Sequence, residues 1–242
     1  MNTSLRVVSL VPSSTETLLA LGAEVVACTR FCEQRDLLHV GGTKTPDLDA
    51  IVELRPDVVV MDREENRLED HDALVDAGVD VFVSDVRSVD DAIALVGELA
   101  TLTHASDDVV AACSVSRGPR PAVGPARRTA FVPIWRRPWM TIADGTYAAS
   151  LLQLLGVDLV TGTDPVSGDA ADRYPTVELD EVAALSPDLV LVPSEPYAFT
   201  DGHVAELGEA FPRSRILRVD GQDLFWWGAR TPHAIEPLAA AL

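Results

Sequence analysis

The chain is expected to be an α/β protein of two Rossmann-like lobes with mainly parallel sheets, joined by a single long helix, with a ligand cleft between the lobes. Three observations predict this. Val58-Val59-Val60-Met61 is an unbroken apolar run of the length of a strand buried on both faces. It is preceded by a helix stop, Pro56-Asp57, and breaks at once into Asp62, Arg63, Glu64, Glu65 and Asn66. In open parallel sheets, ligands sit just past the carboxyl ends of the strands. The third observation is a repeat. Leu48, Ile51, Leu54, Pro56-Asp57, Val58-Val59-Val60 and Glu64 are answered at one constant offset by Leu179, Val182, Leu185, Pro187-Asp188, Leu189-Val190-Leu191 and Glu195. Two similar lobes follow from it, each ending a strand in a polar loop with a glutamate. The boundaries drawn are an N-terminal lobe at 1–87, a bridging helix and loop at 88–127 and a C-terminal lobe at 128–242.

Taken in order, Arg6 to Val11 predicts a first strand, closed by Pro12. Ser13-Ser14-Thr15-Glu16 predicts a capping box opening a helix that stops at Gly22. Val25 to Cys28 is a second strand, with Thr29 to Asp36 its polar exit loop. Thr45-Pro46 predicts an N-cap followed by proline at the first helical position. Leu48, Ile51 and Leu54 stripe that helix, and after the central strand a polar helix ends near Gly78, ahead of a strand at Val79 to Val83. From Ser88 the apolar spacing becomes helical and is expected to persist to about Cys113; Ser116 to Arg128, rich in Pro, Gly and Arg, reads as a loop. The second lobe repeats the plan. Its expected strands are Thr129–Val132, Val157–Val160, Leu189–Val192 and Ile216–Val219. Its helices fall at Asp144–Leu155, before Pro187, near Ala205–Phe211 and after Thr231-Pro232, with a Gly/Asp/Pro loop at Thr161–Pro175.

A formal charge of −19 argues against nucleic acid or an anionic membrane as the main partner. Lys44 is the only lysine. No apolar run reaches the roughly 18 residues needed to span a bilayer. Met-Asn-Thr-Ser-Leu-Arg leads directly into a strand without the pattern of a signal peptide. With Met1 as the natural start the expected location is the cytoplasm; with a truncated start it is periplasmic or extracytoplasmic. Three cysteines, Cys28, Cys32 and Cys113, make no disulfide framework, and a monomer is expected.

The aromatic residues carry the functional expectation. Phe82, Phe131, Tyr147 and Phe211 fall in or beside strands and helices. Phe31, Trp135, Trp139, Tyr174, Tyr197, Phe199, Phe225, Trp226 and Trp227 fall past strand ends. A flat apolar ligand would give such rings a burial site; sealing of a lobe interface would do so as well. Arg30, Arg63, Arg136 and Arg137 share these loops and suit either carboxylates of a ligand or the chain's own Glu64, Glu65 and Glu195. Cys28 should end a buried strand, whereas Cys32 sits in a loop between Arg30 and Arg35, where a thiolate is favoured and a metal could be ligated. There is no Gly-rich phosphate loop, no Gly-x-Ser-x-Gly elbow and no His-Glu-x-x-His.

Arg6-Val-Val-Ser-Leu-Val-Pro-Ser-Ser-Thr-Glu-Thr-Leu-Leu-Ala-Leu-Gly22, Gly41-Gly42-Thr43, Pro46-Asp47-Leu48, Leu54-Arg55-Pro56-Asp57 and Ala77-Gly78-Val79-Asp80-Val81 resemble the opening of the helical-backbone (class III) substrate-binding proteins, with the cobalamin-binding branch nearest. Glu64-Glu65-Asn66, Pro133 to Met140 and Glu195 to Phe199 are similar to the signatures of a short group described as helical-backbone metal receptors. Members often carry Phe-Cys-x-His-Pro where this chain has Phe31-Cys32-Glu33-Gln34-Arg35. The resemblance implies a binding protein for a corrinoid (cobalamin-like) or related tetrapyrrole or metal chelate. It requires no cofactor beyond that ligand, which Ser13, Ser14, Glu65, Asn66 and the loop aromatics and arginines would hold. Two alternatives stay open. One is the substrate-binding component of an ABC importer of cobalamin, siderophore or heme, with Glu64 and Glu195 docking on a permease. The other is a cytosolic enzyme acting on a metallated small molecule through Cys32 or Glu64.

Overall fold

The computed structural model describes residues 5–114, 127–162 and 173–242. The chain divides into two compact units. The first comprises Met1–Val86, Asp90–Ser116 and Trp227–Pro232; the second comprises Arg87–Val89, Arg117–Trp226 and His233–Leu242.

In the first unit, β1 (Arg6–Ser9), β2 (Glu24–Cys28), β3 (Leu38–His39), β6 (Val58–Asp62) and β7 (Val81–Ser84) form one sheet in the order β3-β2-β1-β6-β7. Every pairing in it is parallel. Its helices are α1 (Pro12–Ala20), α2 (Leu48–Leu54), α3 (Leu68–Asp76), α4 (Val89–Thr103) and α5 (Asp107–Ala112), with α4 beginning one residue before the unit resumes. All five residues of β6 are buried, as an unbroken apolar run requires. Val8, Leu10, Ile51, Val59, Met61 and Leu74 pack into one core. Fully burying each such side chain contributes about 1.5–3 kcal/mol.

Several helix starts differ from expectation for identifiable reasons. Pro12 itself opens α1, and the capping position falls on Val11, which makes no side-chain bond. Ser13 and Ser14 therefore lie buried inside the first turn, and Glu16 pairs with Arg230 Nε at 2.9 Å instead of reaching back. Thr45-Pro46 is not a cap either. It forms β5, which pairs with β4 (Gly41–Gly42), and Asp47 caps α2 by accepting from the Ala50 amide at 3.1 Å. The helical stretch from Ser88 does not run unbroken to Cys113. It stops at Thr103, His104 takes a left-handed φ of 55°, and α5 starts afresh behind Ser106.

In the second unit, β8 (Arg128–Phe131), β11 (Val157–Leu159), β12 (Leu189–Pro193) and β13 (Arg215–Val219) form a parallel sheet in the order β11-β8-β12-β13. A small hairpin, β9 (Pro133–Trp135) with β10 (Met140–Thr141), extends from β8. The helices are α6 (Tyr147–Leu154), α7 (Leu179–Ala184), α8 (Asp201–Ala210), α9 (Gly221–Phe225) and α10 (Thr231–Ala241), with α10 beginning two residues before the unit resumes at His233. Here α8 begins earlier than the apolar spacing indicates. Thr200 and His203 close a capping box ahead of it, with Thr200 Oγ1 accepting from the His203 amide and His203 Nδ1 from the Thr200 amide. The loops read at Ser116–Arg128 and Thr161–Pro175 fall largely on 115–126 and 163–172, outside the described residues.

The repeat has a structural basis. Asp57 Oδ2 accepts from the Arg6 amide at 2.7 Å, and Asp188 Oδ2 accepts from the Thr129 amide at 2.7 Å and its hydroxyl at 3.0 Å. In each unit the Pro-Asp step ties the start of the central strand to the strand beside it. The residue just ahead of it, Arg55 or Ser186, ends the preceding helix at a left-handed φ of 48° or 53°.

Candidate functional site

In both sheets the chain direction of strand succession reverses at the central strand, between β1 and β6 and between β8 and β12. Loops leaving those strands part there and leave a crevice for a ligand. Each unit is described by itself.

In the first unit the loops following β1, β2 and β6 are built on a polar network. Asp62, at the end of β6, is buried; its Oδ1 accepts from the Glu64 amide at 2.9 Å and its Oδ2 from the Ser84 hydroxyl at 2.7 Å. Burial raises its pKa above the ordinary carboxylate value, against the lowering effect of those bonds. Asn66 accepts from the Asp62 amide at 2.8 Å and donates to Leu10 O at 3.3 Å and Thr43 O at 2.9 Å. Its amide thus locks three loops together and is engaged within the protein. Lys44 Nζ donates to Glu64 O, and Arg63 pairs with Asp85 at 3.6 Å. Glu65 is exposed beside them.

The loop after β2 carries Arg30, Phe31 and Cys32. The Arg30 guanidinium lies over the Phe31 ring, 4.9 Å from its centroid. A Cβ at Gly42 would meet both, at 3.1 Å from Arg30 Nη2 and from Phe31 Cε2, so the pair rests on bare backbone. Phe31 is 52 % exposed. Cys32, by contrast, is buried. Its sulfur lies 3.3 Å from Thr15 Oγ1 and 3.5 Å from Thr29 Oγ1. Its pKa falls to about 6, first through a hydrogen bond from Cys28 and then through those threonines, against the opposing effect of burial. The thiolate foreseen beside two arginines is therefore favoured, but by hydroxyls and a second thiol. Cys28 ends β2 fully buried, and the same contact drives its own thiol far up. Ser14 Oγ is buried and makes no hydrogen bond among the described residues. Among those residues no three His, Cys, Asp or Glu side chains converge on a metal position, and so none completes a ligand set with Cys32.

In the second unit the loops following β8 and β12 bring rings together. Trp135 meets Tyr197 edge-on at 5.2 Å, Tyr197 tilts against Phe199 at 4.8 Å, and Trp139 stacks on Phe199 at 6.1 Å and 5°. The gradient of burial across them matters. Phe199 is part of the core with Phe131 and Phe211, Trp139 and Tyr197 are half-buried against it, and Trp135 is 46 % exposed. Arg136 lies 5.7 Å from the Trp139 ring and forms a two-pronged bond to Glu206, at 2.9 and 3.0 Å. Arg137 is exposed, at a φ of 69° before a cis peptide to Pro138. Glu195, which also precedes a cis proline, accepts from Trp226 Nε1 at 2.6 Å. Gly221 is needed beside it, because a Cβ there would lie 2.5 Å from Glu195 Cγ and 2.7 Å from its nitrogen.

Not every loop ring joins this cluster. Tyr174 is half-buried, Phe225 is half-buried with no ring contact among the described residues, and Trp227 is buried and groups with the first unit. Nearby, Thr17 Oγ1 accepts from the Ala229 amide at 3.1 Å. Three residues escaped the sequence reading. Glu206 and His203 lie on α8, where Thr200, three residues before His203, was the available signal. Asp62 was read only as one more member of a charged break.

The model of the periplasmic binding protein family matches residues 7–206. The chain belongs to that family. This family member is also 22 % identical over 207 residues to a vitamin B12-binding protein of Pectobacterium carotovorum subsp. carotovorum (strain PC1), covering 79 % of this chain and 72 % of that one. Among solved structures, a periplasmic heme-binding protein from Pseudomonas aeruginosa aligns with a TM-score of 0.80 at 20 % identity, over 99 % of this chain and 92 % of the other. The vitamin B12-binding protein of Vibrio cholerae aligns at 0.77 and 19 %, over 98 % and 96 %. Likeness at that identity establishes the fold. The expected family and the mainly parallel α/β architecture are thereby both shown. No helix among the described residues is long and apolar enough to cross a membrane.

Proposed function

We propose that this family member binds a flat, largely apolar metal chelate of the tetrapyrrole class, a corrinoid or heme, without chemical change to it. The observation that supports this most is Trp135, an exposed ring standing edge-on over Tyr197 at the rim of a buried aromatic stack, in a chain of a ligand-binding family. A large exposed ring held by its neighbours offers apolar area at little further ordering cost. Arg137 and Arg63, exposed on their loops, suit the carboxylates or amides at a macrocycle's edge. The vitamin B12-binding and heme-binding relatives favour cobalamin and heme alike. Family membership favours the extracytoplasmic side of the membrane over the cytoplasm. The test is titration of the purified protein with cyanocobalamin and with hemin at micromolar concentration, followed by absorption and tryptophan quenching. Saturable binding of one of them, weakened about tenfold by Trp135→Ala, is the expected result. Failure of both to bind would overturn the reading.

A permease partner is the second part of the proposal, supported by the family and by the equivalent placing of Glu64 and Glu195 just past β6 and β12. Their carboxylates would meet arginines of the permease. Co-purification with a membrane permease, lost on Glu64→Arg, is the expected outcome, and retention would remove Glu64 from that role.

A further inference from the structure

We propose, resting on the tetrapyrrole reading above, that Arg30 and Phe31 form an acid-reading subsite, which binds a carboxylate on the rim of the macrocycle and selects ligands with acid side chains over those with amides in their place. The first observation is a cation without an acid. Arg30 is exposed, and among the described residues its guanidinium has no carboxylate within ion-pair distance; it lies over the Phe31 ring, 4.9 Å from the centroid. Yet Glu33 and Asp36 stand in the same loop, in a chain of net charge −19. Other arginines past strand ends are engaged by the protein's own acids, Arg63 by Asp85 and Arg136 by Glu206.

The loop holds this pair in place on its own. It leaves β2, the strand beside β1, at the carboxyl edge of the parallel sheet. The Arg30 amide donates to Gly41 O at 2.9 Å and the Cys32 amide to Thr29 O at 3.1 Å, while the Thr29 and Cys32 side chains are buried. Arg30 and Phe31 are thus the outward pair between two inward neighbours. Gly42 is their floor: a Cβ there would lie 3.1 Å from Arg30 Nη2 and from Phe31 Cε2, and 3.2 Å from Arg30 Cζ. A guanidinium laid over a ring keeps its N–H donors in plane for two acceptor oxygens. Phe31, 52 % exposed, adds apolar area beside them.

That fork distinguishes an acid from an amide. A carboxylate brings two charged acceptor oxygens, whereas a carboxamide brings one neutral oxygen and an NH2 group that the donors cannot use. Charge-assisted hydrogen bonds are about twice as strong as neutral ones. The net negative charge does not reverse the preference, because charges beyond about 8 Å are largely screened at physiological ionic strength. Arg35, in the same loop, and Lys44, on the β4–β5 turn, are exposed as well and keep this edge basic. Exchanging one carboxylate for one amide should therefore cost about tenfold in affinity.

The experiment titrates the intact protein with hemin and with two corrins, dicyanocobyrinic acid and dicyanocobinamide, followed by absorption. Cyanide fills both axial positions in each corrin, so acid against amide at the edge is the main difference between them. The acid corrin should bind about tenfold more tightly than the amide corrin. Arg30→Gln should abolish that preference by weakening the acid corrin, and hemin with its propionates, while leaving the amide corrin unchanged. Gly42→Ala, which pushes the pair off its floor, should do the same with a urea midpoint near that of wild type. Equal affinity for the two corrins, or an Arg30→Gln variant that weakens both alike or keeps wild-type affinity for hemin, would overturn the subsite and leave the tetrapyrrole reading standing. Failure of hemin and both corrins to bind would bring down that reading, and the subsite with it.

Discussion

Asp57 and Asp188 perform the same task in the two units, and Arg55 and Ser186 end the helices before them with the same left-handed turn, yet the loops beyond β6 and β12 share almost no chemistry. Past β6 the chain is held by hydrogen bonds: Asp62 to the Glu64 amide and Ser84, and Asn66 to Leu10 and Thr43. Past β12 it is held by rings, Tyr197 on Phe199 and Phe199 on Trp139. A repeated backbone frame thus leaves the strand ends free to differ, since the frame is fixed by the sheet and the Pro-Asp tie upstream. The first unit offers a rigid polar rim, and the second offers apolar area.

The largest effects should come from removing what holds each rim. Asn66→Ala leaves the Asp62 amide and the Leu10 and Thr43 carbonyls without their partner in a buried place. A cost of about 3–5 kcal/mol is expected, seen as a fall in the urea midpoint at unchanged slope. Gly221→Ala in the second unit drives a methyl into Glu195, including its backbone, and should cost about 2–4 kcal/mol in the same assay. If Asn66→Ala proved nearly neutral, the polar rim would not be the rigid one. Trp135→Ala, at an exposed ring, should change stability by less than about 1 kcal/mol while weakening the ligand.

The frame was largely legible in the residues and the rims only in part. Val58 to Met61 and Leu189 to Val192 declare themselves because strands buried on both faces tolerate little but apolar residues. Gly22, Gly78 and Gly156 mark helix ends because each adopts a φ near 80°, which other residues resist. Ser13-Ser14-Thr15-Glu16 misled, because a proline one step earlier is a valid helix start and took precedence. Asn66 is a candidate ligand contact by sequence, and a polar residue after a strand serves a ligand or three carbonyl and amide partners equally well on paper. The bonds to Leu10 and Thr43 come from distant sequence and so leave no local signal. Phe199 shows the same limit, since a ring past a strand end and a ring in the core have one and the same local sequence.

Two smaller effects separate the units by sign. Asp62 binds its proton more tightly folded than unfolded, so its contribution is fully present below its unfolded value of 3.8 and is lost as pH rises through the raised folded value. Asp188 is the reverse: its pKa is lowered by the Thr129 amide and hydroxyl, so its contribution holds above 3.8 and is lost as pH falls through the folded value. Asp62→Asn should therefore gain relative to wild type as pH rises from about 4 toward neutrality, whereas Asp188→Asn should lose relative to wild type as pH rises toward about 4 and change little above it. Urea midpoints measured across each interval check both signs, and equal signs would mean that burial does not govern Asp62. Smaller still, Ser186→Gly removes a side chain from a left-handed φ of 53° and should stabilise the second unit by about 0.5–1 kcal/mol. Arg55→Gly, at the equivalent turn, should do the same in the first unit. Equal gains would show that the two units pay alike for their helix ends, which is what a common frame with divergent rims requires.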